Sequence, residues 1–335
     1  MRVDKAVWGE LGSIAAQARK IEADGYDGLA ATEVSSDPFP PLTLAAEHTE
    51  RVDLMTAITV AFARSPMTLA QVGHDLNQYS KGRVILGLGS QIRAHITKRF
   101  SMPWSKPASR MREYIQALRA IWSCWNDGER LDFRGEFYQH TLMTPNFHPP
   151  VTEFGAPRVF LAAVGPKMTE VAGEVADGMI AHGFTTDRYM REVTMPSLER
   201  GFEQSGRNRG DFELSCPIFV LAQTDDATYQ QRLDGVKRQI AFYGSTPAYR
   251  PVLDLHGWGD LQTDLNQMSK AGQWQEMGER IDEEILAAFA VVAPPEGIAD
   301  EMLRRYGDMV DRMSWGLDLG DADLQREQIQ KLRAG

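Results

Sequence analysis

The feature that most constrains this chain is a repeated alternation of a short apolar run with an amphipathic stretch at helical spacing. Residues 3–8 read as a first strand, and residues 11–24 place Leu11, Ile14, Ala15, Ala18 and Ile21 on one helical face. Gly25 stops that helix, and residues 27–32 form a second buried strand. A helix beginning near Pro41 leads to a strand over 54–60, and Pro66 opens a helix whose face runs Leu69, Val72, Leu76. The cadence continues with strands at 83–88, 159–164, 178–182, 213–222 and 310–315. Helices are expected over 107–125, 167–176, about 187–205, 225–243, 295–306 and 321–333. Strands separated by helices pair in parallel through right-handed crossovers. Eight such units favour an α/β fold closed into a (β/α)₈ TIM barrel. An open doubly wound sheet would need a glycine-rich phosphate turn after strand one, and Gly9-Glu10-Leu11-Gly12 does not supply it.

Two stretches interrupt the cadence. Residues 129–157 hold four prolines and a hairpin signal at Arg134-Gly135-Glu136. Residues 244–275 are rich in Gly, Trp and Asp and read as irregular. Both are expected as insertions over the C-terminal mouth of one domain spanning residues 1–335.

Composition narrows the function. With 36 basic against 46 acidic residues the net charge is −10, which argues against nucleic-acid and anionic-membrane partners. There is no apolar run of the roughly 18 to 20 residues that would cross a bilayer. The charged N-terminus does not resemble a signal peptide, and Cys124 and Cys216 are too far apart in sequence for a redox motif. A cytoplasmic enzyme with a small-molecule substrate is expected. Between Asp75 and Glu113 there is no acidic residue, while Arg93, Lys98, Arg99, Lys106, Arg110 and Arg112 fall at the active end, an arrangement suited to an anionic ligand. Lys81 and Arg83 belong to the opposite end.

The common motifs are missing. Gly87-Leu88-Gly89 begins a dinucleotide fingerprint, but its third glycine would be Ile92. No nucleotide-phosphate loop, metalloprotease helix or serine-hydrolase elbow occurs, and the histidines lack paired spacing, so no metal is expected. Barrel active sites form at the C-terminal strand ends. There the pattern puts Glu33, Thr59, Ser90, Gln91, Gly165 and His182-Gly183, and it places Glu33, His95 and His182 around one mouth as candidates for acid–base work. Trp8, Phe39, Trp104, Phe184 and Trp258 are candidate apolar walls.

Asp53–Gln71 (DLMTAITVAFARSPMTLAQ), Gly82–Gly89 (GRVILGLG), Arg158–Gly183 (RVFLAAVGPKMTEVAGEVADGMIAHG) and Phe289–Met302 (FAVVAPPEGIADEM) resemble the bacterial luciferase-like monooxygenase superfamily over nearly the whole chain. Leu86–Trp104 (LGLGSQIRAHITKRFSMPW) looks like the subgroup that uses the 5-deazaflavin coenzyme F420.

The resemblance implies a barrel with a flavin or deazaflavin at its mouth. It implies a non-prolyl cis peptide at Ala57–Ile58 against the ring, with Thr59, Ser90, Gln91 and His95 nearby. The cofactor phosphate would lie on backbone amides after strands five and six, here Val164, Gly165 and Gly183, with Ala163, His182 and Phe184 also at the cofactor, since amide nests favour anions. Thr32-Glu33, His95 and Val164-Gly165 depart from the pattern of relatives that oxidise alcohols or sugars, so that chemistry does not carry over. The implied activity is F420-dependent hydride transfer, with flavin mononucleotide (FMN) and oxygen activation, or a non-catalytic deazaflavin carrier, as alternatives. Relatives commonly dimerise through residues 41–50 and 66–80, so a homodimer is expected.

Overall fold

The computed structural model describes residues 1–224, 227–316 and 318–335; the first two residues of the helix expected over 225–243 lie outside them. Eight strands close a ring: β1 (Arg2–Ala6), β2 (Gly28–Ala31), β3 (Asp53–Thr56), β4 (Val84–Gly89), β5 (Arg158–Ala163), β6 (Gly178–Ala181), β7 (Glu213–Pro217) and β8 (Arg312–Ser314). Each pairs in parallel with the next, and β8 returns to β1 through Arg2↔Arg312. The expected TIM barrel is therefore formed. Every residue of β2, β4 and β6 is buried, because helices cover the outside and side chains fill the inside.

The helices bury the faces that their periodicity marks. Leu11–Ala23 buries Ile14, Ala18 and Ile21. Pro66–Tyr79 buries Leu69, Ala70, Gly73 and Leu76, with the Ser65 hydroxyl accepting from the Thr68 amide at its N-terminus. Between β3 and β4 the backbones approach closely: a Cβ on Gly87 would lie 1.9 Å from the Thr56 carbonyl oxygen. Only glycine fits there.

Inside the barrel, side chains stack in layers. The first residues of β1, β3, β5, β7 and β8 form an ionic floor. Arg158 bridges Asp53 at 2.7 Å and Glu213 at 2.9 Å, and fully buried Arg312 donates to Asp53. Asp4, also fully buried, lies 3.4 Å from Arg312, and neither of its oxygens accepts a hydrogen bond. Burial pushes its carboxyl up to about 7, against the opposing pull of Arg312. Above the floor, Ala30, Met55, Ile85, Phe160 and Ile180 form an apolar layer.

Two expectations need correction. The strand expected over 213–222 breaks: β7 ends at Pro217, which has no N–H to offer the ladder, and Phe219–Ala222 leaves the barrel to pair in parallel with Ala290–Ala293. The second insertion is helical, with Arg250–Leu255 and Gly259–Lys270. Its glycines and aspartates obscured an apolar stripe of Leu261, Leu265 and Met268, which packs with Phe184, Leu221, Ile240 and Phe289 in a second hydrophobic cluster. The first insertion does contain the expected hairpin, Phe133–Arg134 against Gln139–His140. Both cysteines are buried and free. Among the described residues, no helix is long and apolar enough to cross a membrane.

Candidate active site

A cavity of about 510 Å³ opens over the C-terminal ends of the strands. Its floor is Ile180 of the apolar layer with Ala57, Ile58 and Ala162, which pack against that layer. Ala57 and Ile58 are joined by a cis peptide, as the resemblance implies. The chain resumes its pairing beyond that bond, Thr59 and Val60 lying opposite Leu88 and Gly89. Ser90, Gln91, Ala163, Val164, His182 and Gly183 also line the cavity. Gln91 sits at φ 58°. Its side-chain carbonyl accepts from the Ile92 amide, and such a local bond helps a non-glycine residue hold that conformation.

Beside the cavity, and sharing Ala163, Val164, His182 and Tyr249 with it, is a smaller recess. Gly165, at φ 78°, turns the chain there into the helix Pro166–Val175, whose first residue has no N–H and whose Thr169 amide donates to the Gly165 carbonyl at 3.2 Å. Thr169, Thr185, Thr194 and Ser197 add hydroxyls, and Phe184 closes the back. The Thr185 Oγ1 is buried and has no partner.

The site residues expected from sequence do not all converge. Glu33 is buried and its carboxylate is fully occupied. It accepts from the Thr59 hydroxyl at 3.0 Å, from the Val60 amide at 2.8 Å, and from Arg64 at 2.9 and 2.7 Å. Arg64 is held in turn by Asp37 at 2.6 Å. Glu33 and Thr59 therefore brace the segment behind the cavity floor. His95 is exposed at the start of a π-helical turn, His95–Arg99, and does not line the cavity. Of the three acid–base candidates, only His182 faces it.

The basic stretch also divides. Lys106 pairs with Glu136 and Arg112 with Glu174, both at 2.7 Å. Arg110 is buried, donating to the Tyr138 hydroxyl and the Pro103 carbonyl. Arg93, Lys98 and Arg99 stay exposed on the π-turn and its approach. Among the expected aromatic walls, Trp8 is exposed, Phe39 is core, Trp104 packs edge-on against Phe62, and Trp258 stacks on His256.

Sequence reasoning missed the other half of the wall. Pro217, Ile218 and Phe219 come from the end of β7 and the break after it, Tyr243 from the last turn of the helix Ala227–Gly244, and Ala248 and Tyr249 from the second insertion. The pairs Tyr243/Tyr249 and Pro247/Pro251 were visible as composition, but nothing local said which way they faced. His182 ties the halves together. Its ring stacks on Tyr249 with centroids 4.4 Å apart and meets Tyr243 edge-on at 4.7 Å. Burial pulls its imidazolium down to about 4.

Comparison with known proteins places this arrangement. Residues 3–312 match the family model described as luciferase-like monooxygenase. The chain belongs to that family, which makes it an enzyme of the oxidoreductase kind. It is 53% identical over 313 residues to the uncharacterized protein Rv1360 of Mycobacterium tuberculosis, covering 93% of this chain and 92% of that one. An F420-dependent glucose-6-phosphate dehydrogenase of Rhodococcus hoagii is 31% identical over 192 residues, 56% of this chain and 54% of that one. The fold matches that of the coenzyme F420 dependent tetrahydromethanopterin reductase from Methanopyrus kandleri, with a TM-score of 0.78, 18% identity, and coverage of 99% and 96%.

Proposed function

We propose that the protein transfers a hydride between C5 of the deazaflavin coenzyme F420 and a small organic substrate held in the cavity over the barrel mouth. The observation that carries this reading is the pairing of an apolar-floored cavity with an adjoining recess of hydroxyls. The recess offers a ribityl phosphate the Thr185 hydroxyl, whose oxygen is buried without a partner, beside the hydroxyls of Thr169, Thr194 and Ser197. The floor of Ala57, Ile58, Ala162 and Ile180 fits the face of a tricyclic ring. When bound there, a deazaflavin supplies a hydride carrier that activates oxygen poorly. The chain's own residues bind, orient and exclude water. The F420-dependent dehydrogenase of Rhodococcus hoagii, similar over part of the chain, supports the choice of coenzyme.

FMN shares the ring and phosphate, so a direct titration decides between them. Absorbance and fluorescence on addition of each should show F420 binding at least about tenfold more tightly, a difference of about 1.4 kcal/mol. Equal or tighter FMN binding promotes oxygen-dependent monooxygenation instead. We also infer a homodimer through Phe39–His48 and Pro66–Tyr79 in the cytoplasm, where Tyr79 is a large exposed aromatic on the second helix. Light scattering at micromolar concentration should give twice the chain mass; a single-chain mass refutes it.

A further inference from the structure

We propose that Tyr249 is a catalytic residue: its hydroxyl donates to the oxygen of an uncharged, largely apolar carbonyl substrate. The inference rests on the hydride-transfer reading and names its substrate class and proton donor. The first support is the direction of one hydrogen. The Phe184 amide donates to His182 Nδ1 at 3.0 Å, so that nitrogen carries a lone pair. A neutral ring then has its hydrogen on Nε2, which lies 3.1 Å from the Tyr249 hydroxyl and donates to it. The phenolic hydrogen is thereby left free for the cavity that Tyr249 lines. Burial of His182 keeps its ring neutral, and burial beside Tyr243 pushes the Tyr249 phenol up to about 12, so the hydroxyl holds its proton at neutral pH.

The second support is the rest of the wall. Among the described residues lining the cavity none is Asp, Glu, Lys or Arg. A charged substrate would meet no counterion there, and burying an unpaired charge is costly. Ile218, Phe219 and Tyr243 offer apolar and aromatic contact instead. The Ser90 hydroxyl donates to the Gln91 carbonyl at 3.2 Å, which commits its hydrogen. Tyr249 is also well anchored. It ends the turn Pro247–Tyr249, and the Ser245 carbonyl just before that turn accepts from Gln262 at 3.3 Å and Asn266 at 2.9 Å on the helix Gly259–Lys270.

The step balances. The C5–H bond of the reduced deazaflavin breaks, and its electron pair forms a C–H bond at the carbonyl carbon. The carbonyl π pair moves to oxygen, which takes the Tyr249 proton to give an alcohol. The oxidised deazaflavin releases a ring N–H proton to water, and water reprotonates the phenolate. His182 acts as a positioning residue.

The test uses acetophenone and cyclohexanone, with benzoate as the charged control. Infrared spectra of the bound ketones, with and without oxidised F420, should show the carbonyl stretch shifted to lower frequency in the native protein and unshifted in Tyr249→Phe. Single-turnover oxidation of reduced F420 by either ketone, with the protein saturated in F420, should slow by about 10²-fold in Tyr249→Phe. His182→Gln, which keeps the hydroxyl and loses its direction, should show a smaller slowing and a broadened carbonyl band. A carbonyl stretch identical in native protein and Tyr249→Phe overturns the donor role, and tighter binding of benzoate than of the ketones overturns the substrate class. Failure of F420 itself to bind would sink the cofactor reading separately, since the spectra without cofactor still read Tyr249.

Discussion

The two ends of this barrel are built on opposite principles. At the N-terminal end, Asp4, Asp53, Arg158, Glu213 and Arg312 bring charge from five strands together, with exposed Arg2 at the edge. At the C-terminal end, the described residues around the cavity carry no formal charge, and the polar groups there are a hydroxyl, an amide or an imidazole. In barrels of this kind one end specifies stability and the other chemistry. Here the difference also sorts the side chains: charges are spent where they can pair with each other, and the mouth is kept neutral for a cofactor ring and an uncharged guest.

The sharpest way to break the comparison is at the floor. Arg312 is the fully buried cation that Asp4, Asp53 and Glu213 share. Arg312→Met removes the one cation beside Asp4 among the described residues and leaves Asp53 and Glu213 to Arg158 and Arg2, so a loss of about 3 to 5 kcal/mol is expected by urea unfolding. A change below about 1 kcal/mol would show that Arg158 and Arg2 suffice and that the floor is not one network.

A smaller effect separates the ends by pH. An unfolded Asp4 titrates near 3.8 and the folded one at about 7, so between those values the folded state keeps a proton that the unfolded state has lost. Its contribution is favourable at low pH and is lost as pH rises through that window. His182 runs the other way: 6.5 unfolded and about 4 folded, so its contribution is present above 6.5 and is lost as pH falls toward 4. Unfolding free energies from pH 4 to 8, taken as native minus variant, should therefore slope downward for Asp4→Asn and upward for His182→Gln. Parallel slopes would mean that the two ends do not differ in this respect.

The same contrast explains what the sequence made legible. The barrel was readable because β2, β4 and β6 are short, wholly apolar and separated by helices with clear faces. Strand ends were readable too, and Ala57, Ile58, Ser90, Gln91, Val164 and His182 do line the cavity. What failed was direction. Glu33 follows β2 in the expected place, yet Arg64, far along the chain, turns its carboxylate behind the floor. Tyr249 lies in a segment whose helical stripe was diluted by glycine and aspartate, so its helices could not be placed, and Tyr243 ends a helix that was placed but whose facing was not. Residue spacing encodes which element a side chain belongs to; its orientation at a loop end depends on a long-range partner.

The smallest expected effect lies on the rim, where charge returns. Arg93, Lys98 and Arg99 are exposed beyond Ser90 and Gln91, and Arg99 donates to the Val34 carbonyl across the mouth. Lys106, Arg110 and Arg112 are already engaged, so the cationic rim is narrower than the acid-free stretch suggested. Coenzyme F420, the proposed cofactor, carries an anionic oligoglutamate tail, and such a tail would cross this rim. Exposed pairs contribute about 0 to 1 kcal/mol each, so Lys98→Glu with Arg99→Glu should weaken long-tailed F420 by only about three- to tenfold. Tail-less forms should be nearly unaffected, and added salt should shrink the difference because an exposed contact is screened. Isothermal titration at two ionic strengths reads both. Equal weakening of tailed and tail-less forms would show that the rim acts on the neutral cavity itself, and the division between charged rim and uncharged mouth would have to be redrawn.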